Sequence, residues 1–129
     1  MALPYDDNGR VIPGDSSSTL YNSTVALTPK FAKIDHATNG NNTIVSAVTG
    51  KKIRVVAYHF VSAGTVNAKW ASDTAAPTDL SGSMALVANT VVSAPYCPVG
   101  HFETVAAKAL NLILDAGVSV DGVLTYVEV

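Results

Sequence analysis

Three histidines (His36, His59 and His101), one cysteine (Cys97) and a few carboxylates are the side chains in this sequence best suited to chemistry. The histidines lie on three separate strand-like segments. No His-x-His pair and no suitably spaced carboxylate gathers them, so half-buried structural histidines are the expected reading and no metal site is expected. Asp6-Asp7-Asn8-Gly9 resembles the start of a calcium loop, yet the glycine is misplaced and no Glu occurs before Glu103, so it reads as a turn. Cys97, between Tyr96 and Pro98, has no adjacent basic residue to lower its pKa; His101 is its nearest histidine, and an ordinary loop thiol is expected. Asp73 and Asp79 share one loop and read as solvated acids rather than an acid–base pair. There is no Gly-x-Ser-x-Gly elbow and no phosphate loop. No catalytic residue and no cofactor is expected, and the chain is read as not an enzyme. Tyr58, Trp70 and Tyr96, with Phe60, could form a platform for stacking on a sugar, although strand aromatics more often serve a core or an interface.

The composition favours sheet. The chain holds 18 Val, 12 Thr and 5 Ile against 2 Glu and 9 Leu, and β-branched residues suit a pleated surface. Of its 129 residues only 14% are charged, against about a quarter in an average soluble protein. Such a surface argues against nucleic acid, which wants a basic patch, and no apolar run is long enough to span a bilayer. The opening Met1-Ala-Leu-Pro-Tyr-Asp-Asp lacks the basic and apolar regions of a signal peptide, so synthesis in the cytosol is expected.

Residues 1–23 read as an extended N-terminal arm. They hold Pro4, Pro13, Gly9, Gly14 and the run Ser16-Ser17-Ser18, with Asp6, Asp7 and Asp15 against Arg10. Leu3, Tyr5, Val11, Ile12, Leu20 and Tyr21 are spaced like anchors for a neighbouring surface. From residue 24 to 129 the chain reads as a body of short strands and turns. Phe31 to His36 alternates, 38–42 turns, and Thr43 to Val48 follows. Lys52 to Ala63 is the strongest strand: Ile53, Val55, Ala57, His59 and Val61 fall on one face, Arg54, Val56, Tyr58, Phe60 and Ser62 on the other, so both faces should be covered. Thr65 to Ser72 alternates cleanly, 73–81 is a loop, and brief strands are expected at 82–87 and 90–94. The stretch 105–114 reads as strand in preference to helix; a helix there would make the fold α+β. The last strand-like stretch runs 118–129, broken by Asp121-Gly122. Eight to ten short antiparallel strands at about ten-residue spacing predict an all-β chain, a β-sandwich or jelly roll.

The 106-residue body carries seven basic and seven acidic groups and is net neutral. A surface so sparsely charged keeps poorly apart from its copies. Strands apolar on both faces imply an outer surface covered by another chain. A homo-oligomer is expected, a trimeric ring in particular.

The segments Lys51-Lys-Ile-Arg-Val-Val56, Thr65-Val-Asn-Ala-Lys-Trp70, Gly82-Ser-Met-Ala-Leu86, Leu110-Asn111-Leu112 and Gly122-Val-Leu-Thr-Tyr-Val-Glu-Val129, in that order, resemble small tailed-bacteriophage virion proteins of the capsid decoration (cement) and head-fibre type. The resemblance covers roughly residues 50–129, and the arm has no counterpart in it. It implies a jelly-roll-like sandwich, usually a homotrimer, without enzymatic activity. Such a protein would sit on the outer surface of the virion capsid, bind the major capsid protein and stabilise the head shell. On that reading Leu3, Tyr5, Val11, Ile12 and Tyr21 would anchor the arm on the capsid, with Asp6, Asp7 and Asp15 facing basic groups. The alternative is a receptor- or carbohydrate-binding domain of a fibre or baseplate, with Tyr58, Trp70 and Tyr96 stacking on a glycan.

Overall fold

A computed structural model describes residues 20–22 and 25–129. Among the described residues every regular element is a strand. β1 (Leu20–Asn22) and β2 (Val25–Leu27) form a small antiparallel hairpin that straddles the arm–body boundary read from the sequence. β3 (Lys30–His36), β4 (Gly40–Val45), β5 (Ile53–Ser62) and β6 (Val66–Ser72) come next, then the two-residue β7 (Thr78–Asp79) and β8 (Met84–Leu86). β9 (Val91–Ala94), β10 (Phe102–Glu103), β11 (Leu110–Leu114) and β12 (Val120–Glu128) complete the chain.

These strands make two antiparallel sheets packed face to face, a β-sandwich. One sheet has the order β10-β5-β12-β3, with β9 also on β5; the other has the order β4-β11-β6-β7, with β8 also on β6. The chain passes back and forth between the sheets, staying in the second from β6 to β8 and in the first from β9 to β10: β3, β5, β9 and β12 lie in the first, β4, β6, β8 and β11 in the second. Each crossing turns a strand's apolar face toward the same central layer.

The core is aliphatic with an aromatic centre. Ile34, Ile53, Val55, Phe60, Val120 and Leu124 from the first sheet meet Val45, Val66, Ala68, Trp70, Leu110, Leu112 and Leu114 from the second. Trp70 is wholly buried, its ring 5.2 Å from Tyr58, 5.6 Å from Phe102 and 6.1 Å from Phe60. The edge-on arrangement with Tyr58 and Phe60 is the geometry aromatic quadrupoles prefer.

Strict alternation along β5 fails at one position. Thr125 pairs with Ala57 while Tyr126 pairs with Val55, so Val56 is an extra residue, a β-bulge. Before it, Ile53 and Val55 face the core; after it, Tyr58, Phe60 and Ser62 do. The two-faced apolar strand expected from period two is thus corrected to a one-faced strand with a face switch. Val56 itself joins Val127 in a second small cluster, covered by Leu27 and Val129 on the opposite side of the sheet.

Three more expectations change. β4 begins at Gly40, inside the stretch read as a turn, because buried Asn42 spends its amide on the carbonyls of Thr38 (2.9 Å), Gly40 (3.1 Å) and Leu112 (3.3 Å). The loop of 73–81 carries the short β7, paired with Ala71 and Ser72. The stretch 105–114 is strand only from Leu110; residues before it turn through Ala107, whose φ of 61° is rare for a residue with a Cβ.

Gly122 marks the closest backbone approach in the first sheet. A Cβ there would collide with the carbonyl of His59 and lie 2.6 Å from the Cα of Phe60. A methyl at Gly82, by contrast, meets nothing within 4 Å. Gly122→Ala is therefore expected to lower stability by roughly 3 kcal/mol or more, whereas Gly82→Ala stays within about 0.5 kcal/mol. Urea unfolding of the two variants checks this.

Candidate functional site

The first sheet turns one face to the core and the other outward. Along β3 the period of two sends Ala32 and Ile34 inward and Phe31, Lys33 and Asp35 outward. Register then sets the outer rows. Phe31, Thr125 and Ala57 form one row; Lys33, Val123, His59 and Ser93 the next; Asp35, Asp121, Val61 and Val91 the third. The middle of this face is floored by small residues. Phe31 stands on one side, 75% exposed, and Tyr96 on the other. Between them runs a groove of about 230 Å³ bordered by Ala57, His59, Ser93, Pro95, Val123 and Thr125.

The far wall of the groove is held by the bulge. Val56 O accepts from the Cys97 N–H (2.8 Å) and Val55 O from the His101 N–H (2.7 Å), so the 95–101 loop caps carbonyls of the bulged stretch. The His101 ring hydrogen-bonds Pro95 O through Nε2 (2.7 Å) and meets Tyr58 edge-on at 6.1 Å. Gly100, at φ 85°, gives the loop its tight return, with Cys97 O accepting its N–H at 2.9 Å.

Charge on this face lies along the β3 edge and at the two ends. Lys33 pairs with Asp35 at 3.2 Å, and the hydrogen bond from Lys33, aided by one shared with Asp121, holds the Asp35 carboxyl below the usual carboxylate range. At the other end Arg54 Nε donates to Glu103 at 2.7 Å.

The residues singled out from sequence separate under this geometry. Leu3, Tyr5, Asp6, Asp7, Val11, Ile12 and Asp15 lie outside the described residues. Tyr21 sits in β1 with its backbone paired to Ala26. Tyr58 and Tyr96 both border the groove, but Trp70 does not: it is fully buried between the sheets and offers no face to a glycan. The expected stacking platform is corrected: the Tyr58 ring also packs against Trp70 on the core side, so of the three aromatics only Tyr96 stands on the outer face. Asp73 and Asp79 are each taken by a separate lysine, Lys108 at 3.2 Å and Lys69 at 3.0 Å. The Lys108 hydrogen bond, with one from the Ala75 N–H, lowers the Asp73 pKa. Among the described residues no three His, Cys, Asp or Glu side chains cluster as metal ligands would. No protein-family model, no curated protein and no solved structure matches this chain. Its function is to be read from geometry.

Sequence reasoning missed Phe31, Val91 and Val123 as site residues. A signal was present for the first: with period two, Phe31 shares its face with Lys33 and Asp35, an odd place for a large apolar ring. The other two depend on register across three strands, which composition does not reveal.

The second sheet has one clamp with a pH signature. Asp115, just past β11, accepts from the Asn67 backbone N–H (2.8 Å) and from the Asn67 side-chain amide (2.6 Å). These bonds, the backbone one first, lower its pKa. A carboxyl depressed in the folded state stabilises above its unfolded pKa, about 3.9, and that contribution fades as pH falls through the folded value. Asp115→Ala is thus expected to melt below the parent at pH 7, with the gap narrowing as pH falls below the ordinary carboxylate range. Thermal unfolding across that range tests it, and a gap independent of pH would show the hydrogen bonds to be immaterial.

Proposed function

We propose that this chain is a structural virion protein, a capsid decoration (cement) protein that binds and stabilises a phage head shell as a homotrimer. The observation that carries the reading is the pairing of a neutral sandwich body, apolar on one outer face, with a chain that enters beside that face. The alternation of β3, β5, β9, β12 with β4, β6, β8, β11 resembles the strand order of a jelly roll, an architecture that recurs in viral shells. Leu27, at the end of the hairpin that follows the N-terminal segment, packs on Val56, Val127 and Val129. The chain therefore enters the body on the outer side of the first sheet.

A shell under internal DNA pressure is strengthened by anything that bridges neighbouring capsomers. A trimer suits the three-fold and quasi-three-fold points of an icosahedral lattice, and three modest contacts combine through effective concentration. On this reading an arm of some twenty residues is long enough to reach more than one capsid subunit. Leu3, Tyr5, Val11 and Ile12 supply the apolar anchors, and Asp6, Asp7 and Asp15 face basic capsid groups. The role is mechanical rather than catalytic, at the outer surface of the virion and with the major capsid protein as partner.

Deleting residues 2–19 leaves β1 whole. The truncated protein is expected to fold and assemble as the full chain does, yet fail to co-sediment with capsids stripped of their decoration. Capsid binding undiminished by the deletion would remove the arm from the mechanism.

A further inference from the structure

We propose that in the free protein the acidic N-terminal segment rests on the body of its own chain, at the corner formed by Lys51 and Lys52. The inference concerns the chain before it meets any partner and does not rest on the capsid reading.

The charges single out that corner. Among the described residues five cations are held in ion pairs: Lys30 by Glu128, Lys33 by Asp35, Arg54 by Glu103, Lys69 by Asp79 and Lys108 by Asp73. Lys51 and Lys52 are left over, adjacent in sequence, both exposed and neither in an ion pair. The two carboxylates without a cation do not offset them. Asp115 is bound to Asn67 and Asp121 to the Ser119 hydroxyl. Asp121 lies opposite Val61, nine residues along β5 from Lys52 and about 30 Å away. The positive surplus is therefore local. Residues 1–19 carry the opposite surplus, Asp6, Asp7 and Asp15 against Arg10.

The fold brings the two together. Leu20 pairs with Leu27, Leu27 packs with Val129, and Val129 exchanges backbone hydrogen bonds with Lys52 at 2.8 and 2.9 Å. Two strand spacings and one layer of packing set Leu20 on the order of 20 Å from Lys52. An extended chain covers about 3.3 Å per residue, so Asp15 advances about 16 Å from Leu20, and Asp6 and Asp7 more than about 40 Å. With the length of a lysine side chain added, all three carboxylates reach the corner. Apolar contact is on offer too. The Thr104 N–H donates to Ile53 O at 3.0 Å and its Oγ1 accepts from the Ile53 N–H at 2.9 Å, which sets the exposed Val105 beside Lys52. In the segment Tyr5 adjoins Asp6, and Val11-Ile12 precedes Asp15. An acidic and apolar strip thus meets a basic and apolar patch.

Two lysines make no stripe along which a phosphate backbone could run. One exposed ion pair holds little, but three carboxylates on a tether act together, and the tether's effective concentration favours this segment over any free acidic peptide.

Arg10 supplies the test, because the only other arginine, Arg54, lies in the central strand β5. An arginine-specific protease, acting on the dilute full chain at low salt, reads access to the segment through release of residues 1–10, followed by mass. The double variant Lys51→Glu/Lys52→Glu is expected to be cut roughly fivefold faster than the parent, and salt at about 0.5 M to bring the parent to the variant's rate. Asp6→Lys/Asp7→Lys alone is also expected to be cut faster than the parent, whereas combining it with the two lysine substitutions restores slow cleavage. Lys69→Glu, a charge reversal on the other sheet, is expected to behave as the parent. Unaltered far-UV circular dichroism establishes that the variants fold. Equal cleavage of the parent and Lys51→Glu/Lys52→Glu would overturn the contact. Protection that fades on dilution would give the corner to the segment of another copy and overturn the tethered arrangement. Capsids take no part, so neither result bears on the cement reading.

Discussion

One extra residue in β5 decides how both faces of the first sheet are used. A ten-residue central strand with unbroken alternation would put Ile53 and Val55 on one side and Tyr58 and Phe60 on the other, leaving half of these side chains in water. The bulge at Val56 brings all four to the core, where Phe60 and Tyr58 close around Trp70. A bulge also disturbs the ladder locally. Here the 95–101 loop answers the carbonyls of Val55 and Val56 with the N–H groups of His101 and Cys97. The same irregularity that completes the core thereby fixes the wall of the outer groove. Core packing and surface shape both trace to a single backbone feature.

Much of the fold was legible in the sequence. The strands at 30–36 and 66–72 announce themselves by alternation, and sheet rather than helix at 110–114 agrees with the apolar positions of Leu110, Leu112 and Leu114; the break expected at Asp121-Gly122 is absent, because β12 runs unbroken from Val120 to Glu128 with Gly122 closely packed against β5. What was hidden is whatever depends on an exception to period two or on pairing. No pattern along one strand displays a bulge, since Val56 is as good a strand residue as its neighbours. Asn41 and Asn42 read as turn formers by type, yet the Asn42 amide bridges three carbonyls and keeps the strand going. Trp70 shows the limit of grouping residues by chemistry: alternation with Val66 and Ala68 already placed it inward, while its aromatic character suggested a sugar platform. Face outranks type.

The two sheets are secured differently. The first relies on backbone intimacy, with β12 held between β3 and β5 and Gly122 leaving no room for a side chain beside His59 and Phe60. The second relies more on polar stitches at its margins. Asp115 grips Asn67, Ser81 Oγ accepts from the Trp70 N–H, and Thr74 joins Asn41, Thr43 and Asn111 across β4 and β11. Asn111 is buried within that network with its Nδ2 lacking a hydrogen-bond partner, a cost that no neighbouring acceptor offsets.

The last residue of the chain is also part of that sheet. Val129 exchanges both of its backbone hydrogen bonds with Lys52, at 2.8 and 2.9 Å, and its side chain packs with Leu27 at the foot of the β1–β2 hairpin. Any polypeptide spliced on after Val129 would therefore emerge next to the hairpin rather than from the opposite pole of the sandwich. A short linker from Val129 to Leu20 would make a natural circular permutant, with new termini at the exposed Ala75–Ala76 turn. Reporter proteins or displayed antigens are better grafted at that turn, across the molecule's other sheet, where they would leave the hairpin and its neighbouring face unobstructed.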